Sequence, residues 1–562
     1  MRKRNKITII ACTLILGMPI LMIVTFFAIG LYMYLSADFC QPDVDKKLKQ
    51  YELTINTDSL RVCENSTLLL NKYGLWEAHI SGNSIDRGSK YGILCNDLLK
   101  TQEDVFVNQI HQMIPSDFWV DFLHKFIIIF NRNMALYIPE EYREEIYAIS
   151  QSCTNKYNSY GSPYARQLNY HAAHDIGHAM QEYMLVGCSS FACWADQSEN
   201  KNLIIGRNFD FYVGDDFAKN KMVLFVEPDS GYKFASISWP GMMGVLSGMN
   251  EKGLTVTINA AKGKIPTSSA MPISLLARQI LQYASNISEA YAIAQQFETF
   301  VSESLLIGSA TDGYAAIIEK TPNKIALYNS DNSRVVCTNH YQSSEFTNDK
   351  YNQENISTTD SPYRFKRINE LLDKSIPLNT NEAANILRNR HGLNNVDIGL
   401  SNEKSINQFI AHHSVIFEPT ELRFWVSTSP WQLGEYVCYD LNNIFDSSTT
   451  TIESYVLSEY NIPADTLAIN DAYKRVCRYR EQYKTILLAI EDGSNISAEY
   501  KNEFITNNPN YFQVYNTLGD YEESIGNYKQ AVFYWQKALL HEIPREAEKS
   551  DIINKIKQYD KK

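Results

Sequence analysis

Two short motifs in this 562-residue chain carry side chains that could do chemistry. The first, Gly187-Cys188, opens a run from Ser189 to Asp196 in which small or apolar residues alternate with more polar ones. The second, Gly206 to Phe211, ends the next apolar run and contains Arg207 and Asp210. Both runs are typical of β-strands. If they pair as a hairpin, the start of the first lies beside the end of the second, and Cys188 faces Arg207 and Asp210.

This arrangement favours a cysteine nucleophile. A cysteine attacks carbonyl carbon as a thiolate, a nearby guanidinium lowers the pKa of its thiol, and a carboxylate can orient a neighbouring amine. Gly187 leaves no side chain beside the carbonyl group that Cys188 would have to attack. The motif therefore predicts self-cleavage between Gly187 and Cys188. The alternative is a small buried cysteine without chemistry, which is the role we expect for Cys193.

Several later segments follow these motifs in a fixed order. They are Pro240 to Gly244, Gly248 to Leu254, Thr338-Asn339-His340 and Ser361-Pro362-Tyr363-Arg364-Phe365. Over roughly residues 75 to 440 the set resembles the N-terminal-nucleophile (Ntn) hydrolases. It is most similar to the penicillin (isopenicillin N) acyltransferase or C45 peptidase-like family, with the choloylglycine hydrolases and penicillin V acylases more distant. Ser189 departs from the family pattern, where a threonine is commoner, but keeps the hydroxyl.

The resemblance implies a fold and a set of roles. The fold is an α+β, four-layered αββα sandwich. Cys188 is the nucleophile, Asp210 and Arg207 orient its amine and tune its thiolate, and Asn339 stabilises the oxyanion, as a side-chain amide can. In the choloylglycine relatives the arginine matching Arg364 lies near the nucleophile. The ordinary alternatives are a strand-end cap for Asn339 and an exposed helix residue for Arg364. We expect an acyl amide or thioester as substrate, and neither a cofactor nor a metal.

The pattern of strands and helices agrees with that fold. From Cys188 to about Ser330 short strands in hairpins flank two helical stretches, which predicts two stacked antiparallel sheets with helices outside. The segment before Cys188 is expected to be mainly helical and, by the resemblance, to become the smaller chain after cleavage. We predict four parts: an anchor at 1–36, this segment at 37–187, the catalytic domain at 188–441, and a linker with a helical tail at 442–562.

The N-terminus predicts a membrane anchor. Four basic residues lie within Met1 to Lys6, and residues 7–35 carry no charge, which is longer than the roughly 20 residues that span a bilayer. The positive-inside rule then places the catalytic part on the extracytoplasmic side of a single-pass protein. A cleaved signal peptide, with small residues near Ser36, is the alternative.

Composition, cysteine number and histidine spacing indicate which classes of ligand and cross-link the chain is expected to have. The chain has 52 basic and 64 acidic residues and a net charge of -12, which argues against nucleic acid. Ten cysteines are too few for a disulfide scaffold, and their pairing cannot be deduced from spacing. His171, His174 and His178 share one face of a helix predicted from about Arg166 to Met184. A packed or surface histidine face is favoured there over a metal site.

The tail and the activity leave alternatives open. Leu518-Gly519, Gly526, Tyr528, Ala531, Trp535, Ala538 and Pro544 approach the spacing of a tetratricopeptide (TPR) repeat, which predicts a small helical appendage that packs on the enzyme or docks a protein partner. The sequence does not separate a hydrolase from an acyltransferase. A phospholipase-like lipid hydrolase of the same fold and a non-catalytic envelope binding protein are the other candidates, and the presence of Cys188 argues against the second.

Overall fold

The computed structural model describes residues 22, 24–114, 116–179, 185–446 and 452–559. In chain order, the strands among them are β1 (Ile55–Asn56), β2 (Leu60–Cys63), β3 (Ser66–Leu70), β4 (Trp76–Gly82), β5 (Leu185–Val186), β6 (Ser189–Cys193), β7 (Ile204–Tyr212), β8 (Met222–Pro228), β9 (Phe234–Ser238), β10 (Ser247–Asn250), β11 (Leu254–Ala260), β12 (Glu303–Ser309), β13 (Tyr314–Thr321), β14 (Lys324–Tyr328), β15 (Arg334–Cys337), β16 (Ala411–Glu418), β17 (Arg423–Ser427) and β18 (Tyr436–Asp440).

The α-helices after residue 80 are α1 (Ser84–Leu94), α2 (Asn96–Met113), α3 (Asp117–Asn131), α4 (Glu140–Ser150), α5 (Pro163–His171), α6 (Ala173–Ala179), α7 (Ile273–Tyr283), α8 (Ile287–Gln296), α9 (Lys350–Thr358), α10 (Ser361–Ser375), α11 (Thr380–Leu387), α12 (Leu441–Ile444), α13 (Thr466–Ala468), α14 (Lys474–Asp492), α15 (Ala498–Asn507), α16 (Phe512–Ser524), α17 (Tyr528–Ala538) and α18 (Glu546–Tyr559). The single helix predicted from Arg166 to Met184 is wrong over its described part, because α5 ends at His171 and α6 begins at Ala173. Residues 180–184 lie outside the described part.

Two sheets contain these strands. The larger has the order β1-β2-β3-β4-β8-β9-β10-β11-β12-β13-β14, and the smaller has the order β15-β6-β7-β16-β17-β18 with β5 beside β7. Pairing is antiparallel except where β4 runs parallel to β8. Because β1 to β4 precede Gly187, the segment predicted as mainly helical also supplies strands to the large sheet. It is therefore part of the same folded unit as the catalytic residues.

Alternating burial builds four layers. On β8, Val223 and Phe225 point between the sheets with residues such as Val415 and Phe417 of β16, whereas Leu224 packs on the opposite side with the helices. Helices α7 and α8 contact the large sheet at β11 and β12, and α10 and α11 contact the small sheet. This period-2 pattern gives each strand two buried faces. The layers are helix, sheet, sheet and helix, as the predicted sandwich requires.

The predicted membrane anchor is wrong. None of the helices among the described residues combines the length and the apolar composition needed to cross a bilayer. Of the predicted span, the structure describes a continuous helical stretch at residues 24–35, which at 1.5 Å per residue rises about 18 Å against a hydrocarbon core of about 30 Å. Residues 7–21 and 23 of that span lie outside the described part. The single-pass, extracytoplasmic placement rested on the anchor and is withdrawn with it.

The C-terminal residues form the helical appendage that the sequence predicts. Helices α14 to α18 pack around a core of their own that includes Leu518, Tyr521 and Trp535. The appendage docks on the catalytic part through Asn508, whose side chain accepts from the N–H of Leu400 and donates to its carbonyl, both at 2.8 Å. A protein partner for this appendage stays a prediction.

Candidate active site

The predicted hairpin is confirmed and places Cys188 at a strand junction. β6 pairs antiparallel with β7, with Ser189 opposite Asn208 and Ser190 opposite Arg207. β5 continues along the same strand, so that Val186 lies opposite Phe211, and the N–H of Gly187 donates to the Asp210 carbonyl at 3.2 Å. The Gly187-Cys188 peptide thus lies between two paired segments and beside the C-terminal end of β7. Both residues are buried.

The Cys188 thiol is held in a dry environment. Its side chain has no exposed surface, and an amino group of Arg207, Nη2, lies 3.6 Å from Sγ. Burial nevertheless raises the pKa of the Cys188 thiol to about 11, although the Arg207 charge and the main-chain N–H of Asp210 act to lower it. The guanidinium thus lowers this pKa as expected, but in the uncut chain desolvation outweighs its effect, and the net pKa lies above the usual value for a thiol. The cysteine needs a base before it can attack.

Arg207 is fixed by a shell of neutral groups. It is fully buried, donates to Ser247 Oγ and to the Ile258 carbonyl, and lies 3.2 Å from His413 Nε2. Its guanidinium also stands over the Phe209 ring at 4.4 Å. Ser247 and His413 come from β10 and β16, far from Arg207 in sequence, and no motif singled them out.

The Asp210 side chain, near the Gly187-Cys188 peptide, has carboxylate oxygens that accept no hydrogen bond from the described residues. Both carboxylate oxygens are buried and, among the described residues, have no hydrogen-bond partner. Burial raises the pKa of Asp210 to about 8, against the lowering effects of Arg364 and Arg207. A carboxyl group that titrates near neutral pH can either hold or accept a proton there.

Arg364 lies at the centre of the site. It lies in the first turn of α10. Its guanidinium donates to the Cys188 carbonyl at 2.7 Å and to Ser189 Oγ at 2.9 Å. Asp360 accepts from its Nε at 2.8 Å, one helical turn earlier. The side chain is 1% exposed, which excludes the alternative of a solvated helix arginine. Arg364 therefore contacts the backbone of the candidate nucleophile directly.

Asn339 reaches the same cluster through Arg364. Its Oδ1 accepts from Arg364 Nη2 at 2.7 Å, and its Nδ2 donates to the Ala260 carbonyl at 2.8 Å. Ser361 Oγ accepts the main-chain N–H of Asn339 at 2.8 Å. Because the side-chain amide is engaged in this form, its role as an oxyanion donor stays a prediction.

Two further residues belong to the site. A methyl group added at Gly187 would lie 3.0 Å from Gln408 Nε2 and 3.6 Å from the Arg364 guanidinium, so Gln408 borders the scissile peptide. Asn259 joins the two sheets behind it, accepting from Ser190 Oγ and donating to the Cys337 carbonyl at 3.0 Å. Gln408 follows a stretch without a recognisable pattern. Asn259 lies in a predicted strand, and a polar asparagine facing the interior of such a strand could have indicated that it belongs to the site.

The histidines that were predicted to share one helix face lie in different environments. His171 uses both ring nitrogens, since Nδ1 lies 2.8 Å from the Gln167 carbonyl and Nε2 accepts from the N–H of Met243 at 3.0 Å. His174 points elsewhere, toward Asp175 and Glu303. The side chain of His178 lies outside the described part. The packed-histidine interpretation thus fits His171.

Part of the chain matches a known enzyme family. Residues 197–429 match the model of the acyl-coenzyme A:6-aminopenicillanic acid acyl-transferase family. This confirms the resemblance to the penicillin acyltransferases. The matched region contains Arg207, Asp210, Asn339 and Arg364 but begins nine residues after Cys188, so it does not cover the nucleophile.

Two relatives share sequence with the chain. An uncharacterised protein of Archaeoglobus fulgidus is 23% identical over 397 residues, covering 64% of this chain and 65% of its own length. Protein dcd1B of Dictyostelium discoideum is 22% identical over 272 residues, covering 45% of this chain and 52% of its own length. The chain thus spans less than two thirds of either relative.

Solved structures give weaker matches. An N-acylethanolamine-hydrolyzing acid amidase (NAAA) ortholog from Caenorhabditis elegans is 15% identical, with a TM-score of 0.30, over 42% of this chain and 93% of its own. A mutant conjugated bile acid hydrolase from Clostridium perfringens is 12% identical, with a TM-score of 0.33, over 46% of this chain and 93% of its own. Likeness of this degree supports no inference about the substrate.

Proposed function

We propose, from the acyltransferase-family match and the geometry at Cys188, that this chain is a self-processing cysteine Ntn enzyme. It cleaves itself between Gly187 and Cys188 and then cleaves or transfers acyl groups from amides or thioesters through an acyl-Cys188 intermediate. The observation that carries the proposal is the convergence of three buried ionisable residues around Gly187-Cys188. Arg207 lies at the thiol, the main-chain carbonyl of Asp210 accepts from the Gly187 N–H, and Arg364 donates to the Cys188 carbonyl.

Self-cleavage begins with proton transfer. The thiol has a pKa of about 11, so at neutral pH it must lose its proton to a neighbour. The buried carboxyl group of Asp210 has a pKa of about 8, and its ionised fraction is the acceptor. The sulfur then attacks the Gly187 carbonyl carbon, the C–N bond breaks, and the proton goes to the leaving nitrogen. The thioester that forms is hydrolysed by water to the Gly187 carboxylate and the free Cys188 thiol.

Cleavage supplies the base for turnover. The new α-amine of Cys188 has an unperturbed pKa of roughly 7.7 to 8.0 and can deprotonate its own side chain. It arises beside the unpartnered Asp210 carboxylate, which orients it. Because Cys188 has no exposed surface in the uncut chain, we expect cleavage to precede contact with substrate.

The acyl-enzyme is then held and resolved. Arg364 holds the Cys188 backbone through a hydrogen bond to its carbonyl. Asn339, whose Oδ1 accepts from Arg364, donates a hydrogen bond from its amide Nδ2 to the oxyanion. Such a bond is worth roughly 3 to 4 kcal/mol in other enzymes. The acyl group leaves to water in a hydrolase and to a bound amine in a transferase. These outcomes differ only in which nucleophile reaches the thioester first.

A covalent trap tests the proposal. The processed protein is mixed with an activated acyl ester, quenched in acid, and measured by intact mass. One acyl group should appear on the larger fragment and map to Cys188, and added hydroxylamine should remove it. Cys193→Ala, which changes the other buried cysteine of β6, is the matched control and should be labelled normally. Absence of label from processed wild-type protein would exclude the acyl-enzyme mechanism.

A lipid hydrolase is the second candidate, favoured by one cavity. A cavity of about 510 Å³ lies between α2, α3, α5 and α6, with a lining that is mostly apolar and includes Phe106, Trp119, Phe122 and Ile176. Such a lining suits a long acyl chain. None of the site residues lines it, however. Acyl donors of increasing chain length distinguish the candidates, because a lipid hydrolase requires a rate that rises with chain length.

A further inference from the structure

A second group of ionisable side chains borders the candidate active site and takes no part in the proposed mechanism. Its Glu303 carboxylate is near enough to raise the pKa of Cys188. His174 and Asp175 of α6 and Glu303 at the start of β12 meet in the interior, and none of the three has exposed surface. One ligand atom of each lies within 4.8 Å of the others. We propose that these three residues bind a divalent transition-metal cation, with an imidazole nitrogen and two carboxylate oxygens as ligands.

Unsatisfied polar atoms are the first argument. Both oxygens of Glu303 are buried and have no hydrogen-bond partner among the described residues. Asp175 has a hydrogen-bond donor, since its Oδ2 accepts from the N–H of Ile273 at 2.9 Å. A buried carboxylate without a donor is expensive unless a cation or a proton compensates it. Burial accordingly raises the pKa of Glu303 well above its usual range.

Spacing is the second argument. His174 Nδ1 lies 3.4 Å from Asp175 Oδ1 and 3.8 Å from Glu303 Oε1, which is too long for a good hydrogen bond with either carboxylate. Ligands bound to one ion at about 2.1 Å in tetrahedral geometry are about 3.4 Å apart. The two separations from His174 Nδ1 are therefore close to those of ligands around a central ion.

The donor set indicates the class of cation. One imidazole and two carboxylates form a mixed, borderline-hard set that suits Zn²⁺ or Mn²⁺ better than the all-oxygen sites preferred by Ca²⁺ and Mg²⁺. Two carboxylates also neutralise a 2+ charge in a site whose three side chains have no exposed surface. Three protein ligands leave further positions for water or a neighbouring hydroxyl group.

Such an ion would join two parts of the fold. α6 ends eight residues before Gly187, and β12 lies beside β11, whose Ala260 carbonyl accepts from Asn339. The cation would hold the segment before the scissile peptide against the large sheet. If the proposed cleavage occurs, His174 and Asp175 fall on the smaller chain and Glu303 on the larger, so the ion would bridge them; this consequence alone rests on the proposed function.

Metal analysis of the full chain tests the site. Wild-type protein is stripped with chelator, incubated with ZnCl₂ or MnCl₂, desalted and analysed by plasma mass spectrometry. We expect about one equivalent of one of these metals, and less than about a fifth of that in His174→Ala and Glu303→Gln. Glu319→Gln is the matched control, because this buried carboxylate already accepts from Gln342 N and from Ser343 N and Oγ. It should keep the full equivalent.

A thermal measurement on wild-type protein guards against variants that do not fold. The same metal should raise the melting temperature of the stripped protein, and chelator should reverse the rise. Wild-type protein that takes up neither metal and shows no shift overturns the proposal. Full metal content in folded Glu303→Gln and His174→Ala also overturns it. Neither readout depends on whether Cys188 is catalytic, so failure here and failure of the proposed function are separate results.

Discussion

Arg364 and Asn339 are joined by a hydrogen bond of 2.7 Å, from the guanidinium Nη2 to the amide Oδ1, while the same guanidinium holds the Cys188 carbonyl. This link connects the N-terminal turn of α10 to Asn339, the second residue after β15, and to the backbone of Cys188. One side chain thereby positions two of the residues on which the chemistry depends.

Arg364→Lys should slow self-cleavage and turnover while the fold survives. Lysine keeps the charge but cannot reach Cys188 O, Ser189 Oγ and Asn339 Oδ1 together, and each lost charge-assisted bond is worth about 1.5 to 3 kcal/mol. We expect a fall of about 100-fold in the cleavage rate, followed on denaturing gels. Arg334→Gln removes an arginine whose partner Asp373 is exposed and should cleave normally. Equal rates in Arg364→Lys and wild type would contradict the assigned position of Arg364.

Gly187→Ala should cleave more slowly than wild type because its methyl group crowds Gln408. The added carbon would lie 3.0 Å from Gln408 Nε2, at the flexible end of that side chain. Gln408→Ala in the same chain should restore much of the rate, since it removes the crowding atom. The measurement is the time course of fragment formation in the single and double variants. A double variant as slow as Gly187→Ala would show that Gln408 is not the obstacle.

Local pattern was enough to predict part of the site. The β6–β7 hairpin, with Cys188 against Arg207 and Asp210, follows from strand alternation and a polar turn, which act over a few residues. Ser247, His413, Asn259 and Gln408 approach the site through sheet stacking and could not be found from spacing. The raised pKa of the Cys188 thiol was likewise hidden, because it depends on burial and not on the neighbouring charge.

The fold was predictable to a similar degree. Alternating strands and paired helices indicated two stacked sheets, but β1 to β3 were missed, although they join the large sheet through β4 and β8. A parallel pairing between distant segments has no local signature. Charge-free length alone predicted a membrane span that the described helices do not support.

Asp210 should make the stability of the uncut protein depend on pH. The folded pKa of about 8 lies above the ordinary value of 3.8, so between these values the native state holds a proton that the unfolded state has lost. The stability that Asp210 contributes is therefore complete below about pH 4 and is lost as the pH rises through about 8. In the uncleavable Cys188→Ala background, Asp210→Asn should become relatively more stable from pH 5 to pH 8.5. Urea midpoints that run parallel in the two proteins would contradict the buried, unpartnered carboxyl.

Asn508→Ala should loosen the C-terminal appendage. It removes two buried hydrogen bonds and leaves both the N–H and the carbonyl of Leu400 without that partner, at a cost of about 2 kcal/mol. Limited proteolysis should release the appendage sooner than in wild type, with Asn502→Ala, an exposed position on the same helix α15, as the control. Unchanged proteolysis would mean that other contacts dominate the docking.

Intact-mass analysis of purified wild-type protein beside Cys188→Ala, with N-terminal sequencing of each fragment, tests the central claim most directly. The account predicts two chains in wild type, the larger beginning at Cys188, and a single uncut chain in the variant. Wild-type protein that stays as one chain under conditions where it is folded, or that is cut at Gly187-Cys188 equally in Cys188→Ala, would contradict it.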